Sequence, residues 1–448
     1  MRLSVAVVLA VAVGAALAVV AEVVLIAVFH PARTGGSPID VTKLAFTVVG
    51  GVGGVVALVI AYRRQRDLEQ NRFVERFGAA AAQLGATDVA VRLAGVYAMA
   101  GVADESDGLQ RQQCIDVLCG YLRLPYDPEL GRSHQSKLVV KHHRATADGT
   151  QADDQERHLE YRQNDSEVRK TILRVIADRL RSNTGDGWSA SNFDFRTAHL
   201  EDADLRYTKF TGAALFDRAM FTGETLFIGA TFAGSVQFNN TTFSGETVFN
   251  NAKFASDAHF NVATFSGTAW FVDATFSGAA LFADATFARR PWFSKATFSA
   301  VALFHQATFS DAQFGDATFT GPARFENARF ADETLFSDTT FVSSVCFDRA
   351  AFSGPTWFGG ATFAGSARFC NATFAAFAGF GLTTFTSEPN FAGAVFAGKT
   401  SFVDANLGTE QISFVHARGG ATDRDCRSFG SGSLPVAVCL CEQDSVSE

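Results

Sequence analysis

The fold is decided by residues 260–282, which read FNVATFSGTAWFVDATFSGAALF. Phenylalanine returns there at alternating steps of five and six residues, and the same pattern runs from Phe221 to Phe402 in 33 steps. Sixteen steps are six residues long and seventeen are five, with one irregularity, Phe309 to Phe314, where a five replaces a six. This period matches neither a helix nor a flat strand. It predicts a solenoid, whose units bury their apolar side chains by stacking on neighbouring units.

Alanine usually occupies the position two residues before each phenylalanine. One large and one small apolar position per unit are therefore expected to point inward. A buried phenylalanine contributes about 1.5–3 kcal/mol, so we interpret the aromatic ladder as core and not as a cofactor site. The structural core ladder that we predict contains Phe254, Phe260, Phe265, Phe271, Phe276, Phe282, Phe287 and Phe293.

These units resemble the pentapeptide-repeat family, in which a small residue and a polar residue precede a central Leu or Phe. Early units match closely, as in Ala198-His199-Leu200 and Ala203-Asp204-Leu205. The resemblance implies a right-handed quadrilateral β-helix over residues 189–416, with one repeat per side.

Alternate units depart from the family pattern by one extra residue, which gives coils of about 22 residues and one coil of about 21 at the irregular step. We expect this coil to stack without interruption. The extra residue usually accompanies a glycine, which we place at a corner where positive φ favours glycine. These glycines are Gly223, Gly245, Gly267, Gly278, Gly354 and Gly365.

Two apolar stretches open the chain, Leu3–Phe29 and Leu44–Tyr62. Each has about the 20 apolar residues that a membrane-spanning helix needs. We therefore predict a two-helix transmembrane hairpin at residues 1–62 that contacts membrane lipids. A signal peptide is the alternative for the first stretch, although its apolar core is long for one.

Arg63, Arg64 and Arg66 follow the second apolar stretch directly. This basic cluster favours a cytoplasmic carboxyl terminus, so we expect a multi-pass protein of the inner (plasma) membrane with the bulk of the chain in the cytoplasm. The three arginines are predicted membrane-surface contacts, because basic side chains attract anionic head groups. The arrangement of hairpin, helices and Phe-type repeats resembles membrane-anchored pentapeptide-repeat proteins of actinobacteria.

The middle of the chain has a helical pattern. Residues 63–127 are predicted to form a small helical domain, with Asp88 or Thr87 capping its second helix. Residues 128–164 are polar and are interpreted as a linker. A last helix at 165–183, with Asp165 or Ser166 as its cap, is expected to cover the first coil, and 417–448 is a Gly- and Ser-rich tail. The predicted fold class is thus α+β and multidomain.

The local motifs in the sequence do not indicate a catalytic or ligand-binding site. Gly393–Thr400 matches the phosphate-loop pattern, but phosphate binding needs a strand before the loop and a helix after it. The phenylalanine period continues through this stretch, so we interpret it as another repeat. The seven cysteines have no framework spacing, and we expect reduced thiols in a cytosolic compartment. Cys426, Cys439 and Cys441 are a weak metal signal.

We therefore predict a membrane-tethered scaffold that binds a cytosolic protein. A homo-oligomer is compatible with this prediction. We expect no catalytic, cofactor-binding or metal site. The alternative is mimicry of DNA toward a type II topoisomerase. Residues 190–412 carry 20 acidic and 13 basic residues, whereas about 50 Å of duplex carries about 30 phosphate charges. Charge thus argues against mimicry and against direct binding of nucleic acid. An enzyme is the least favoured interpretation.

Overall fold

We analysed a computed structural model of the chain. It describes residues 38–133, 137–142, 155–160, 162–181, 187–407 and 418–419, together with residues 16, 19, 20, 23, 24 and 27. The chain divides into two compact units, Met1–Gly78 and Ala79–Glu448.

Helix α1 runs from Pro38 to Leu84 and contains the second predicted membrane span, Leu44–Tyr62. Over the residues that the structure describes, no helix has both the length and the apolar character needed to cross a bilayer. The predicted transmembrane hairpin is therefore not supported. Most of the first predicted span, Leu3–Phe29, lies outside the described residues.

The second unit begins with a helical block. Helix α2, Val89–Asp104, is capped by the Asp88 carboxylate, which accepts hydrogen bonds from the amides of Ala90 and Val91 at 2.7 and 3.3 Å. Helix α3, Gly108–Arg123, ends before Pro125, as the sequence predicts. Both helices bury apolar side chains, so this part of the helical prediction is confirmed.

Regular structure also occurs between 128 and 164, where the sequence indicates a linker. A short helix α4 occupies Pro128–Gly131. Strands β1, Lys137–His142, and β2, Gln155–Glu160, pair in antiparallel fashion. In this register Lys137 is paired with Glu160 and Lys141 with Glu156.

Helix α5, Asp165–Arg181, precedes a single 3₁₀ turn at Trp188–Ala190 and packs on the first coil of the solenoid. Its predicted apolar face is buried, which confirms its covering role. Asp165 and Ser166, the two cap candidates that the sequence suggests, both lie in the first turn of the helix, so neither is its cap residue.

The solenoid has four sides, because each two-residue strand pairs in parallel with a strand about 22 residues further along. We name its faces by their outward residues. The mixed face contains Phe193–Asp194, Ala214–Leu215, Val236–Gln237, Ala258–His259, Ala280–Leu281, Ala302–Leu303, Ala323–Arg324, Val345–Cys346 and Ala367–Arg368. The tryptophan face contains Thr247–Val248, Ala269–Trp270, Pro291–Trp292, Ala312–Gln313, Thr334–Leu335, Thr356–Trp357, Ala378–Gly379 and Thr400–Ser401.

The two other faces are threonine faces. The first contains Thr242–Phe243, Thr264–Phe265, Thr286–Phe287, Thr308–Phe309, Arg329–Phe330, Ala351–Phe352, Thr373–Phe374, Val395–Phe396 and Arg418–Gly419. The second contains Lys209–Phe210, Thr231–Phe232, Lys253–Phe254, Thr275–Phe276, Thr297–Phe298, Thr318–Phe319, Thr340–Phe341, Thr362–Phe363 and Thr384–Phe385. The longer strands His199–Asp204 and Met220–Leu226 turn the corner between the first threonine face and the tryptophan face.

Phenylalanine rings fill the interior in four stacked columns. Phe282, for example, stacks on Phe260 at 4.7 Å and on Phe304 at 5.0 Å between ring centroids, with interplanar angles of 2° and 9°. All eight phenylalanines of the predicted ladder are at most 1% exposed, and the residues two positions before them, seven alanines and Pro291, are also buried. The inward pattern of one large and one small side chain is confirmed.

The corner glycines require a correction. Of the six glycines expected to have positive φ, only Gly223 does, at 73°. A Cβ on Gly245 would lie 2.0 Å from the carbonyl oxygen of Gly223, and one on Gly267 would lie 2.3 Å from that of Gly245. Close stacking of backbone on backbone is therefore what excludes a side chain there. Positive φ occurs at the other corners, commonly at Asn or Asp.

The irregular step from Phe309 to Phe314 shortens one coil without interrupting it. Trp292 pairs with Gln313 and Thr297 with Thr318, a spacing of 21 residues instead of 22. Phe314 still stacks on Phe293 at 4.9 Å. The prediction of a continuous 21-residue coil is confirmed.

Candidate interaction surface

The outer faces of the solenoid differ in the side chains that they present. Both threonine faces present Thr, Ser and Ala at most outward positions. The tryptophan face instead presents a column of larger apolar side chains, which includes three of the four tryptophans in the chain. The outward members of this column are Leu226, Val248, Trp270, Trp292, Gln313, Leu335, Trp357, Gly379 and Ser401.

The indole rings on this face are held in defined positions. Trp270 and Trp292 stack with centroids 5.2 Å apart and planes within 4°. Nε1 of Trp270 donates to Oε1 of Glu246 at 2.7 Å. The hydrogen bond fixes the indole from the coil below and leaves the carboxylate charge uncompensated.

The same arrangement recurs four coils beyond Trp270. Nε1 of Trp357 donates to Oε1 of Glu333 at 3.1 Å, and Phe377 packs on the indole with centroids 4.7 Å apart. Gly379 gives the ring room, since a Cβ there would lie 3.1 Å from Cε3 of Trp357. Trp357 remains 38% exposed. The face therefore offers fixed aromatic side chains to solvent.

A network of buried polar groups joins the helical block to the first coil. The Arg92 guanidinium, fully buried, donates to Asp165 Oδ1 at 2.5 Å and to Tyr121 Oη at 3.0 Å. Burial raises the pKa of the Tyr121 hydroxyl, and its hydrogen bond to Asp165 acts in the same direction. The hydroxyl therefore stays protonated and donates to Asp165.

A second buried carboxylate belongs to Glu201 on the first coil. It accepts hydrogen bonds from Ser166 Oγ at 2.8 Å, Arg132 Nη2 at 2.8 Å and Tyr126 Oη at 3.1 Å. Burial raises the pKa of Tyr126 to about 12. These contacts position α5 on the solenoid and hold no reactive geometry.

A polar cleft of about 690 Å³ lies between the end of α3 and the first coils. Its wall contains Arg123, Arg196 and Arg218. Asp194 forms ion pairs with Arg123 at 2.5 Å and with Arg196 at 2.8 Å. Asp194 and Asp217, which also lines the cleft, together offset two of the three positive charges, so the cleft has only weak attraction for an anion.

The four described cysteines, Cys114, Cys119, Cys346 and Cys370, are free thiols. Burial raises the pKa of Cys114 to about 11 and that of Cys346 to about 12. Thiols with raised pKa values are poor nucleophiles near neutral pH. Cys426, Cys439 and Cys441 lie outside the described residues.

The structure also shows where the other residues singled out by the sequence lie. Arg63, Arg64 and Arg66 are exposed on α1. The stretch Gly393–Thr400 contributes strands at Val395–Phe396 and Thr400–Ser401, so it forms repeat units as expected. Over the described part of the chain, no group of three or more His, Cys, Asp or Glu side chains is arranged to hold a metal ion.

Sequence reasoning missed the tryptophan column and the buried network. The column had a usable signal, because Trp270 and Trp292 are 22 residues apart, one coil of the predicted solenoid. The network had none, since Arg92 and Asp165 are 73 residues apart in the chain.

Comparison with known proteins bears on the solenoid alone. A family model described as pentapeptide repeats (9 copies) matches residues 227–271, 260–308 and 304–345. No curated protein and no solved structure matches the chain. The matched residues are coils whose phenylalanines stack in the interior, and this part of the chain consists of pentapeptide repeats.

Proposed function

We propose that the chain is a protein-interaction scaffold held at a membrane, with the outer faces of its solenoid available to a cytosolic protein partner. The observation that carries this proposal is the packing of the solenoid interior. Its phenylalanine rings are at most 3% exposed and stack without a gap from coil to coil. An interior filled in this way leaves only the outer faces for function, which suits a pentapeptide-repeat solenoid as an interaction module.

Two features of the amino-terminal unit support attachment to a membrane. Residues 44–62 contain no charged residue, and Val56, Leu58 and Ile60 are between 44 and 71% exposed. Exposed apolar surface of this kind is costly in water. On this proposal residues 1–62 contact lipid and residues 63–448 face the cytoplasm.

The basic cluster after this segment would add an electrostatic contribution. Each basic side chain close to an anionic leaflet is worth about 1 kcal/mol, and Arg63, Arg64 and Arg66 are all exposed. Attachment should therefore depend on the charge of the lipid as well as on the apolar segment.

Vesicle flotation tests the attachment. The full chain should float with vesicles and prefer those that contain anionic lipid. A variant with Arg63, Arg64 and Arg66 changed to Gln should lose the preference for anionic lipid, and a chain without residues 1–62 should not float. Equal flotation of the shortened chain would reject the membrane attachment.

Photo-crosslinking tests the scaffold. A crosslinking amino acid is placed in the full chain at one outward position per face: Leu281, Thr308, Leu335 and Thr297. At least one face should yield a discrete protein adduct in the native cell. A type II topoisomerase as the adduct would favour the DNA-mimic alternative, and no adduct on any face would reject the scaffold.

A further inference from the structure

We infer that the tryptophan face is a docking surface for an extended, basic segment of a protein partner that also carries apolar side chains. This inference rests on the proposed scaffold function and adds to it the face that binds and the chemistry of what it binds.

The first argument is the concentration of aromatic side chains. Trp270, Trp292 and Trp357 share one outer column, while the only other tryptophan, Trp188, is buried beside the helical block. A fold that needs only its interior rings has no structural use for indoles on a single outer face. Tryptophan is enriched among the residues that dominate binding energy at protein interfaces.

The second argument is that these rings are already ordered. Glu246 fixes Trp270, Glu333 fixes Trp357, and Trp292 stacks on Trp270. Side chains held before binding lose little conformational entropy when a partner arrives. The face therefore has the rigidity that a docking site for a flexible segment needs.

The charge on either side of the tryptophan face indicates what kind of segment binds there. The corners on either side of the tryptophan face carry nine acidic residues against four basic ones from Glu224 to Asp404. One of these cations, Arg290, is paired with Asp311 and lies 5.6 Å from the ring centroid of Trp292. The acidic residues are Glu224, Glu246, Asp273, Asp311, Asp316, Asp332, Glu333, Asp338 and Asp404.

The mixed face lacks this excess in its central coils, because its charges pair with each other. Arg324 pairs with Glu326 at 3.1 Å, and Arg368 pairs with Asp348. An aromatic column between acidic corners attracts Lys and Arg both by charge and by cation–π contact. Apolar side chains of the same segment would pack on Leu335 and on the indole faces.

The dimensions fit an extended peptide. Trp270 and Trp357 are four coils apart, which is about 19 Å at a strand spacing of about 4.8 Å. An extended segment rises about 3.3 Å per residue, so about six residues reach from one indole to the other.

The test selects peptides from a random nine-residue library displayed on phage, with the full chain immobilised in detergent. Enriched peptides should have a net positive charge together with apolar residues, and their affinity should fall as salt concentration rises. The double variant Trp270→Ser and Trp357→Ser should bind them about tenfold or more weakly, as expected for central aromatic contacts.

Two further double variants separate the contribution of the tryptophan face from that of outward apolar side chains in general, and the contribution of its charge from that of its indoles. Leu281→Ser with Leu303→Ser removes outward apolar side chains from the mixed face and should leave binding unchanged. Glu246→Gln with Glu333→Gln keeps an acceptor for each indole N–H but removes two charges, so it should lower affinity and flatten its salt dependence. Unchanged thermal melts confirm that all variants are folded.

Enrichment of neutral or acidic peptides, no enrichment, or binding that survives the tryptophan changes would each overturn the inference. The scaffold proposal is judged separately. If crosslinking gives a protein adduct from Leu281, Thr308 or Thr297 but not from Leu335, the scaffold stands and the tryptophan face is not its docking surface.

Discussion

In the solenoid each core ring packs on the same kind of ring in the coils above and below, whereas helices α2, α3 and α5 pack around buried charges. The interior of the solenoid contains phenylalanine and alanine at most inward positions. The helical block buries Arg92 and Arg169 together with the largely buried Asp165. The solenoid core is stabilised by repetition of one kind of ring contact. The core of the helical block depends on a few particular pairs of charged side chains.

This difference predicts how each region fails. A repeat contacts only its neighbours, so a substitution in one coil affects the packing of the two adjacent coils. A buried ion pair has no second copy, and a lost partner leaves an uncompensated charge in the interior.

The largest effect is expected from Phe282→Ala at the middle of the solenoid. The change leaves a cavity and removes two stacked contacts, at 4.7 Å to Phe260 and 5.0 Å to Phe304. Phe→Ala substitutions in cores cost about 3–5 kcal/mol, and chemical denaturation followed by far-UV circular dichroism measures this loss.

The matched control is Phe402→Ala, since among the described residues Phe402 stacks only on Phe380, at 4.7 Å, and lies near the end of the described solenoid. It should destabilise the chain less than Phe282→Ala does. An equal loss at both positions would show that stacking on two sides adds nothing.

The next effect is expected from Asp165→Ala in the helical block. Removal of the carboxylate leaves the fully buried Arg92 without its charged partner. Such changes cost about 3–5 kcal/mol, and we expect the lower end because the Asp165 side chain is 12% exposed. Loss of the helical signal at lower denaturant concentration, with the β signal retained, is the expected result.

Arg324→Ala is the control for this change, because the removed side chain is 56% exposed and its partner Glu326 retains access to solvent. Exposed pairs contribute about 0–1 kcal/mol. If Asp165→Ala costs no more than Arg324→Ala, the buried pair does not hold the helical block together.

The same comparison explains what the sequence could predict. The solenoid is visible because its contacts recur at one chain spacing, so Phe260, Phe282 and Phe304 form a regular pattern in the amino-acid sequence itself. Arg92 gives no such signal, since its partners Tyr121 and Asp165 belong to other helices. The face that a coil residue occupies also follows from the period, and the tryptophan column was predictable in principle.

Backbone proximity between coils was not predictable in the same way. Positive φ and close approach both favour glycine, and a sequence alone does not separate them. In the structure Gly223 has positive φ, whereas Gly245 is explained by close approach of the backbone alone.

A smaller effect is therefore expected from Gly245→Ala. The new Cβ would lie 2.0 Å from the carbonyl oxygen of Gly223, so the two coils must move apart. Overpacking of this kind costs about 1–3 kcal/mol. Gly315→Ala is the matched change, because its nearest contact would be 3.7 Å away, at the Ser337 carbonyl oxygen. Thermal unfolding should distinguish the two variants, and equal melting temperatures would contradict the steric explanation.

The smallest effect concerns the pH dependence of the junction between the two cores. Burial lowers the pKa of His199, with Arg169 and Arg132 acting in the same direction and Glu201 against it. Its Nε2 lies 2.9 Å from Thr222 Oγ1. The unfolded chain therefore binds this proton more readily than the folded chain does, so the stability is fully present above the ordinary His pKa of about 6.5 and falls as the pH drops below it.

His199→Gln should reduce this dependence, because Gln retains a hydrogen-bonding group for Thr222 but does not titrate. The measurement is the free energy of unfolding at several pH values between 7.5 and 5, with His259→Gln on the mixed face as control. Asp194 and Asp204 do not confuse the result, since hydrogen bonds from Arg196 and Arg206 hold their pKa values below the ordinary range and outside this window. The wild type and the His259 variant should lose stability toward pH 5 more steeply than the His199 variant, and parallel curves for all three would remove His199 as the cause.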